Sequence, residues 1–219
     1  MTEQPDTARY GAWLLGYPSG AWLALAADLA GCYAVGESQS EALARLEGAV
    51  PAYYAWLSRH DEYTPTIHSQ IRVEAIETAG YKPGGISAFF SADAEPVNDE
   101  DLDWLLSVLG WAYDDLLAEA LRRPASPALE AALSSVAAVQ VELIAHATGA
   151  SAPDSPDGGI ARIKAARDAA LAMFRVSSGR QREVTHEEGG QRWSLRRGMR
   201  ESVLLARRAT DDLAWLRET

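Results

Sequence analysis

The spacing of apolar residues changes near residue 98, and this change divides the chain into two predicted parts. Before it, short apolar runs alternate with turn signals, a pattern typical of β-strands. The runs predict strands at 10–17, 21–27 and 32–35. A fourth, half-buried strand is predicted at 71–76, with Ile76 as the one apolar residue on its polar face. With one helix before the fourth strand, the predicted order is β-β-β-α-β.

That helix begins after Ser38, whose hydroxyl can cap the first turn, and Glu41 completes a capping box three residues later. The helix is predicted to end near His60. Apolar residues recur at helical spacing along it and predict a stripe that faces the sheet. The stripe consists of Leu43, Leu46, Val50, Tyr53 or Tyr54, and Leu57.

From Asn98 onward the apolar period is about 3.6 residues, which predicts four amphipathic helices. Their predicted starts are Asn98 or Asp99, Ser126, Gly159 and Ser194. On the second helix the predicted core stripe is Leu129, Ala132, Leu133, Val136, Val139, Leu143 and Ile144. Helices of this length with polar connections favour a four-helix bundle.

Two connecting segments separate these elements. Residues 80–97 include a Pro-Gly-Gly run at 83–85 and are predicted as a linker, and 177–190 is predicted as irregular with a short hairpin at Gly189-Gly190. The predicted fold class is therefore α+β. Its predicted parts are a small sheet domain at 8–79, a linker at 80–97 and a helical domain at 98–219.

Composition then narrows the classes of function. The chain has 219 residues, 47% of them hydrophobic, and a net charge of −11, so it can bury a core and does not suit general binding to nucleic acid or anionic membranes. Cys32 is the only cysteine, which excludes an internal disulfide and a Cys-rich metal site. No signal peptide and no run of about 20 apolar residues is visible, so we expect a cytoplasmic protein.

Charge is unevenly distributed along the sequence. Residues 1–100 carry a net charge of −9 and residues 161–219 a net charge of +5. The two ends can attract each other within one chain or in a dimer, or these charges are simply solvated helix faces. The acidic first part also suits a small basic protein partner.

The segment from Tyr10 to Asp61 resembles the HicB-like antitoxin family. The resemblance rests on the turn Asp28-Leu29-Ala30-Gly31-Cys32, with Ala30 where the family usually has proline, and on the helix opening at 36–43. It implies a small sheet-and-helix fold whose members bind and silence a small RNA-cleaving toxin. The DNA-binding tail of such antitoxins has no counterpart here, so we expect no operator binding.

The remainder resembles the DinB-like helical bundle family. The similar segments are 88–96, which matches the linker before such bundles, and 193–197, which matches the approach to the last helix. That family uses three metal-binding histidines, one on the second helix and two spaced four apart on the last. The last helix here has no histidine and the second has only His146, near its end. The resemblance therefore implies the bundle without its usual metal site, and we expect no cofactor.

Weaker chemical candidates remain. Glu142 and His146 are four residues apart on the second helix and, with Asp114-Asp115 and Asp211-Asp212, can build a carboxylate-rich metal site in the bundle. The alternative for these residues is solvent-facing charge. His186-Glu187-Glu188 is a loop cluster with a weak metal signature.

The tryptophans give the candidate binding residues. Trp104 and Trp111 are one heptad apart on the first bundle helix and either pack in the core or line a groove for a ligand or partner helix. Trp13 and Trp22 lie on paired strands. Because one helix covers only one face of the sheet, the other face must meet the bundle, another subunit or a partner.

These observations favour a non-catalytic cytoplasmic protein, homodimeric, that binds another protein or a small apolar ligand. One alternative is a metal- or thiol-dependent transferase or hydrolase of the DinB-like class with atypical ligands. The other is an antitoxin-like inhibitor of a small RNA-cleaving toxin.

Overall fold

The computed structural model describes residues 7–60, 70–82, 88–150 and 156–215. The chain divides into two compact units, unit 1 at Met1–Phe90 and unit 2 at Ser91–Thr219. Unit 1 carries a four-stranded sheet, and unit 2 carries helices with a small two-stranded sheet, so the fold is mixed α and β. The Pro-Gly-Gly run at 83–85 lies outside the described residues.

Unit 1 has the predicted order β-β-β-α-β. In the sheet the strands lie in the order β3-β2-β1-β4; β1 pairs antiparallel with β2 and parallel with β4, and β2 pairs antiparallel with β3. The helix α1 is the crossover that a parallel pair requires. The elements are β1 Thr7–Gly16, β2 Trp22–Ala26, β3 Tyr33–Gly36, α1 Gln39–His60 and β4 Gln70–Gly80.

The face of α1 that meets the sheet is close to the predicted one. The buried residues are Ala42, Leu46, Val50, Tyr53, Trp56 and Leu57. Leu43, which was predicted in the stripe, is only half-buried, and Ala42 takes the inner position instead. The reason is a close approach at Gly36, where an added Cβ would lie 2.5 Å from the backbone nitrogen of Ala42.

Charged side chains of α1 reach both edge strands. Arg45 donates to the carbonyl oxygen of Val35 on β3 (2.7 Å), and Glu47 accepts from the backbone N–H of Val73 on β4 (3.1 Å). Exposed edges with free backbone groups are templates for pairing with another chain. Arg45 and Glu47 therefore occupy part of the hydrogen-bonding capacity that strand addition would use.

In unit 2 the four long helices pack as a bundle. Contacts join α2 with α4 and α6, and α3 with the same two helices, so α2 and α3 lie across from each other although consecutive in sequence. The predicted caps Asn98 and Ser126 are confirmed, each accepting a hydrogen bond from the third residue beyond it. The helices are α2 Asp99–Leu121, α3 Pro127–Thr148, α4 Gly159–Arg175 and α6 Leu195–Trp215.

The predicted core stripe of α3 is partly wrong. Ala132 is exposed and Val136 and Val139 are only half-buried, whereas the polar Gln140 is fully buried. Periodicity alone places the inner face towards the valines. The bundle instead turns Gln140 inward because hydrogen-bond partners on α2 and α6 satisfy its amide.

The segment predicted as irregular at 177–190 contains a short helix, which corrects that prediction. Helix α5, Gly179–Glu183, starts with a capping box in which Ser178 and Gln181 bond each other's backbone N–H. The predicted hairpin at Gly189-Gly190 is confirmed; it joins β5 His186–Glu188 and β6 Gln191–Trp193.

Helix α3 also corrects the expectation that no stretch is long and apolar enough to cross a membrane. Pro127–Thr148 is long and apolar enough for a membrane span by length and composition alone. In the structure the same helix packs on α4 and α6.

Candidate functional site

A buried chain of hydrogen bonds crosses the middle of the bundle in unit 2. Tyr113 of α2 donates to the side-chain oxygen of Gln140 (2.7 Å), whose amide nitrogen donates to Ser202 of α6 (2.9 Å). Ser202 donates in turn to the carbonyl oxygen of Gly198 (2.7 Å). Burial raises the pKa of the Tyr113 phenol. Every member has a partner, so the network fixes the relative rotation of three helices.

A second buried network surrounds the start of α6. Arg197 donates to the carboxylate of Glu201 (2.7 Å) and to the side-chain oxygen of Gln191 (2.7 Å), and its guanidinium carbon lies 3.9 Å from the centroid of the Trp193 ring. Arg197 and Glu201 are both buried. A buried charge is tolerated when it is paired and hydrogen-bonded, as it is here.

Trp193 connects this network to His146 near the end of α3. The two rings are stacked with centroids 4.6 Å apart, and the imidazole Nδ1 lies 2.7 Å from a carboxylate oxygen of Glu188 on β5. The hydrogen bond from His146, helped by the charge of His146 and His186 when protonated, lowers the pKa of Glu188. A carboxylate that accepts from Nδ1 leaves Nε2 as the acceptor or base.

The proposed pairing of Glu142 with His146 is not what the structure shows. Glu142 is exposed, and His146 bonds Glu188, which lies 42 residues away in sequence. Asp114 is paired with Arg167 of α4 (2.8 Å). Across the described parts of the chain, no three His, Cys, Asp or Glu side chains are grouped so that they can hold a metal ion.

Three arginines fix the segment that enters α2. Arg200 makes a bidentate pair with Asp93 (2.9 and 2.6 Å), and both side chains are buried. Asp93 lies in a short 3-10 turn at Ser91–Ala94, and Arg196 donates to the carbonyl oxygens of Glu95 and Pro96. Arg182 bonds Asp99. The start of unit 2 is thus bonded to α6 and to the end of α5.

The exposed side of α2 combines aromatic and acidic side chains. We call Glu100, Asp103, Trp104, Ser107 and Trp111 the acidic–aromatic face, because at about 100° per residue these positions fall within roughly a third of the helix circumference. Trp104 is 37% exposed, and its ring meets that of Trp111 edge-on with centroids 5.9 Å apart. The other members are exposed except Trp111, which is half-buried.

Two carboxylates of this face have no cationic partner among the residues that the structure describes. Their neighbours Asp99 and Asp101 are paired with Arg182 and Arg196. By contrast, no arginine, lysine or histidine among the described residues lies within ion-pair distance of Glu100 or Asp103. The acidic–aromatic face therefore presents uncompensated negative charge beside an exposed indole.

The two tryptophans of the sheet are less accessible. Trp13 is 4% exposed and stacks on Phe90 with ring centroids 5.0 Å apart. Trp22 is half-buried, and its ring lies against Gly16, where an added Cβ would be 3.0 Å from it. A partner that reaches Trp13 has to displace Phe90 first, so of the four candidate tryptophans Trp104 is the most exposed.

Comparison of the sequence and structure with known protein families, curated proteins and solved structures found no match.

Proposed function

We propose that the chain is a non-catalytic binding protein that recognises a basic protein partner through the acidic–aromatic face of α2. The proposal rests on the exposed Trp104 beside two carboxylates, Glu100 and Asp103, that have no cationic partner within the described parts of the chain. An exposed tryptophan attracts guanidinium and ammonium groups through its ring face, and adjacent carboxylates add ion pairs. An arginine-rich segment meets both requirements.

The charge of the whole chain supports the same partner class. A net charge of −11 steers a cationic partner towards the protein at low ionic strength and repels acidic ones. The partner segment is expected to bind with an affinity that falls as salt rises, because most of the attraction involves exposed charges.

The binding test uses a nona-arginine peptide titrated against the full chain by calorimetry. The double variant Glu100→Gln/Asp103→Asn and the variant Trp104→Ala should each weaken binding by about tenfold, since two exposed ion pairs or one cation–π contact contribute about 1–2 kcal/mol. The double variant Glu142→Gln/Asp212→Asn is the matched control because it removes the same two charges from exposed sites on α3 and α6. Equal losses of affinity in this control and in Glu100→Gln/Asp103→Asn would show non-specific attraction and contradict the proposal.

For the two units we propose the finer family assignments. The β-β-β-α-β order of unit 1 supports a HicB-like module, and the four packed helices of unit 2 support a DinB-like bundle. On this proposal, the basic partner that an antitoxin-like protein binds contacts the helical bundle of unit 2. The protein is also proposed to be cytoplasmic and homodimeric, and light scattering on the untagged chain measures the subunit number.

A second candidate function is acid–base chemistry at His146. The 2.7 Å contact with Glu188 and the stacking on Trp193 hold the imidazole in one orientation, as a general base requires. Hydrolysis of p-nitrophenyl acetate tests it. A rate that vanishes in His146→Ala, with an altered pH profile in Glu188→Gln, supports an enzyme; an unchanged rate in His146→Ala contradicts it.

A further inference from the structure

A groove opens in unit 2 where α2 ends and α3 and α4 begin. It has a volume of about 680 Å³ and lies at the opposite end of α3 from His146. We call it the end groove; its apolar lining includes Leu121, Leu129, Leu133 and Ile160. Small-molecule sites in proteins commonly have volumes of roughly 300–1,000 Å³ and mostly apolar walls.

Two large aliphatic side chains of the end groove are exposed in the part of the chain that the structure describes. Leu121 is 68% exposed and Ile160 is 36% exposed. The wall between them forms because α4 starts close against α3: an added Cβ at Gly159 would lie 2.9 Å from Cβ of Leu133. Aliphatic chains gathered around one concavity gain free energy when an apolar group removes them from water.

The polar groups that line the end groove are already engaged. Arg123 donates twice to one carboxylate oxygen of Glu119 (3.2 and 3.0 Å). Ser126 accepts from the N–H of Leu129 (3.1 Å), and Glu130 accepts from the N–H of Gly159. Each polar side chain therefore completes a contact within the chain rather than facing a ligand.

Formal charge at the end groove also cancels. Glu119 bonds Arg122 as well as Arg123, and Glu130 supplies a second carboxylate. Of these charged groups Arg123 and Glu130 line the groove, one of each sign, so the lining favours neither an acidic nor a basic ligand. A bound molecule of either charge would lose hydration without gaining a dedicated counter-ion.

We propose that the end groove binds an uncharged aliphatic chain. The occupant follows from the volume, the aliphatic lining and the balanced, internally satisfied polar groups. This site is separate from the acidic–aromatic face, and its ligand does not need the basic partner.

The test titrates the full chain with 1-decanol by calorimetry and compares decanoate and decyltrimethylammonium. Saturable one-to-one binding of 1-decanol is expected, with both charged analogues weaker. Ala125→Phe places a ring at the rim of the end groove from an exposed loop position and should weaken 1-decanol binding at least tenfold. Ala138→Phe, at an exposed position of α3 outside the groove, is the matched control.

Leu121→Asn gives a second variant that leaves the core untouched, and it should weaken binding several-fold. The proposal is overturned if 1-decanol shows no saturable binding, or if Ala125→Phe and Ala138→Phe bind it equally. It is also overturned if light scattering shows a dimer that Ala125→Phe converts to a monomer, because a second copy then occupies the groove. Nona-arginine binding should survive Ala125→Phe, which separates this outcome from a failure of the proposed function.

Discussion

Removing the hydroxyl of Tyr113 should destabilise unit 2 far more than its size suggests. The hydroxyl donates to Gln140 at 2.7 Å, and both residues are fully buried. Tyr113→Phe leaves the Gln140 oxygen buried without its donor, which costs about 1–3 kcal/mol of unfolding free energy. Tyr81→Phe, at a half-buried tyrosine of unit 1, should change stability by less than about 0.5 kcal/mol.

The double variant Tyr113→Phe/Gln140→Leu separates two causes of the stability loss: the missing hydrogen bond itself, and the cost of burying a polar group without a partner. When both partners become apolar, the Gln140 acceptor is removed together with its donor, and Ser202 still donates to Gly198. The double variant should therefore lose less stability than the two single variants together. Urea unfolding followed by far-UV circular dichroism measures each value, with the slope required to stay constant. Strict additivity, or a Tyr113→Phe cost no larger than that of Tyr81→Phe, would refute this account of the network.

The same residue predicts a loss of stability in alkali. Because burial raises the pKa of Tyr113, the folded chain keeps this phenol protonated at a pH where the unfolded chain, with a phenol pKa near 10, has released the proton. The stabilisation is therefore complete below about pH 10 and falls as pH rises further, by up to about 1.4 kcal/mol per pH unit. Tyr113→Phe should lack this part of the slope.

Three further predictions concern other contacts. In His146→Ala the pKa of Glu188 in the folded chain should rise towards its ordinary value, which carboxyl NMR measures. An unchanged titration midpoint would contradict the hydrogen bond as the cause. The stability that this pair contributes should be lost as pH falls through the lowered pKa. Gly198→Ala should lower the free energy of unfolding by about 1–3 kcal/mol in thermal unfolding, because the added Cβ would lie 2.2 Å from Cβ of Ala147 on α3. At Gly110 an added Cβ meets nothing within 4 Å, so Gly110→Ala should stabilise the chain by about 0.5–1 kcal/mol. Arg200→Met should cost about 3–5 kcal/mol in urea, since it leaves its buried aspartate partner without a counter-ion; a loss below 1 kcal/mol would argue against the buried pair.

The starts of helices α2 and α3 were predictable because they depend on neighbouring residues, whereas β1 begins three residues before its predicted start and β4 ends four residues after its predicted end. A hydroxyl at Ser126 satisfies backbone N–H groups of the next turn whatever the rest of the chain does, and Gly149 ends the same helix with a φ of 69° that other residues rarely adopt. The turn at Gly20, with a φ of 90°, follows the same local rule.

The candidate sites were less predictable because their members meet only in three dimensions. The sequence placed Trp104 and Trp111 on one helix side, since a heptad spacing does that in any helix. It did not reveal which neighbouring carboxylates form ion pairs, because Arg182 and Arg196, which pair with Asp99 and Asp101, come from distant segments.

Local pattern therefore determined the order of the strands and long helices, the caps, the turns and the approximate apolar side of each long helix, but not the short helix α5. Tertiary structure decided the parallel pairing of β1 with β4, the burial of Gln140 in place of Val139, and the choice of Glu188 over Glu142 as the partner of His146. The reason is physical: a helical period locates a face only to within about one residue, and a polar side chain is buried only where groups from other elements complete its hydrogen bonds.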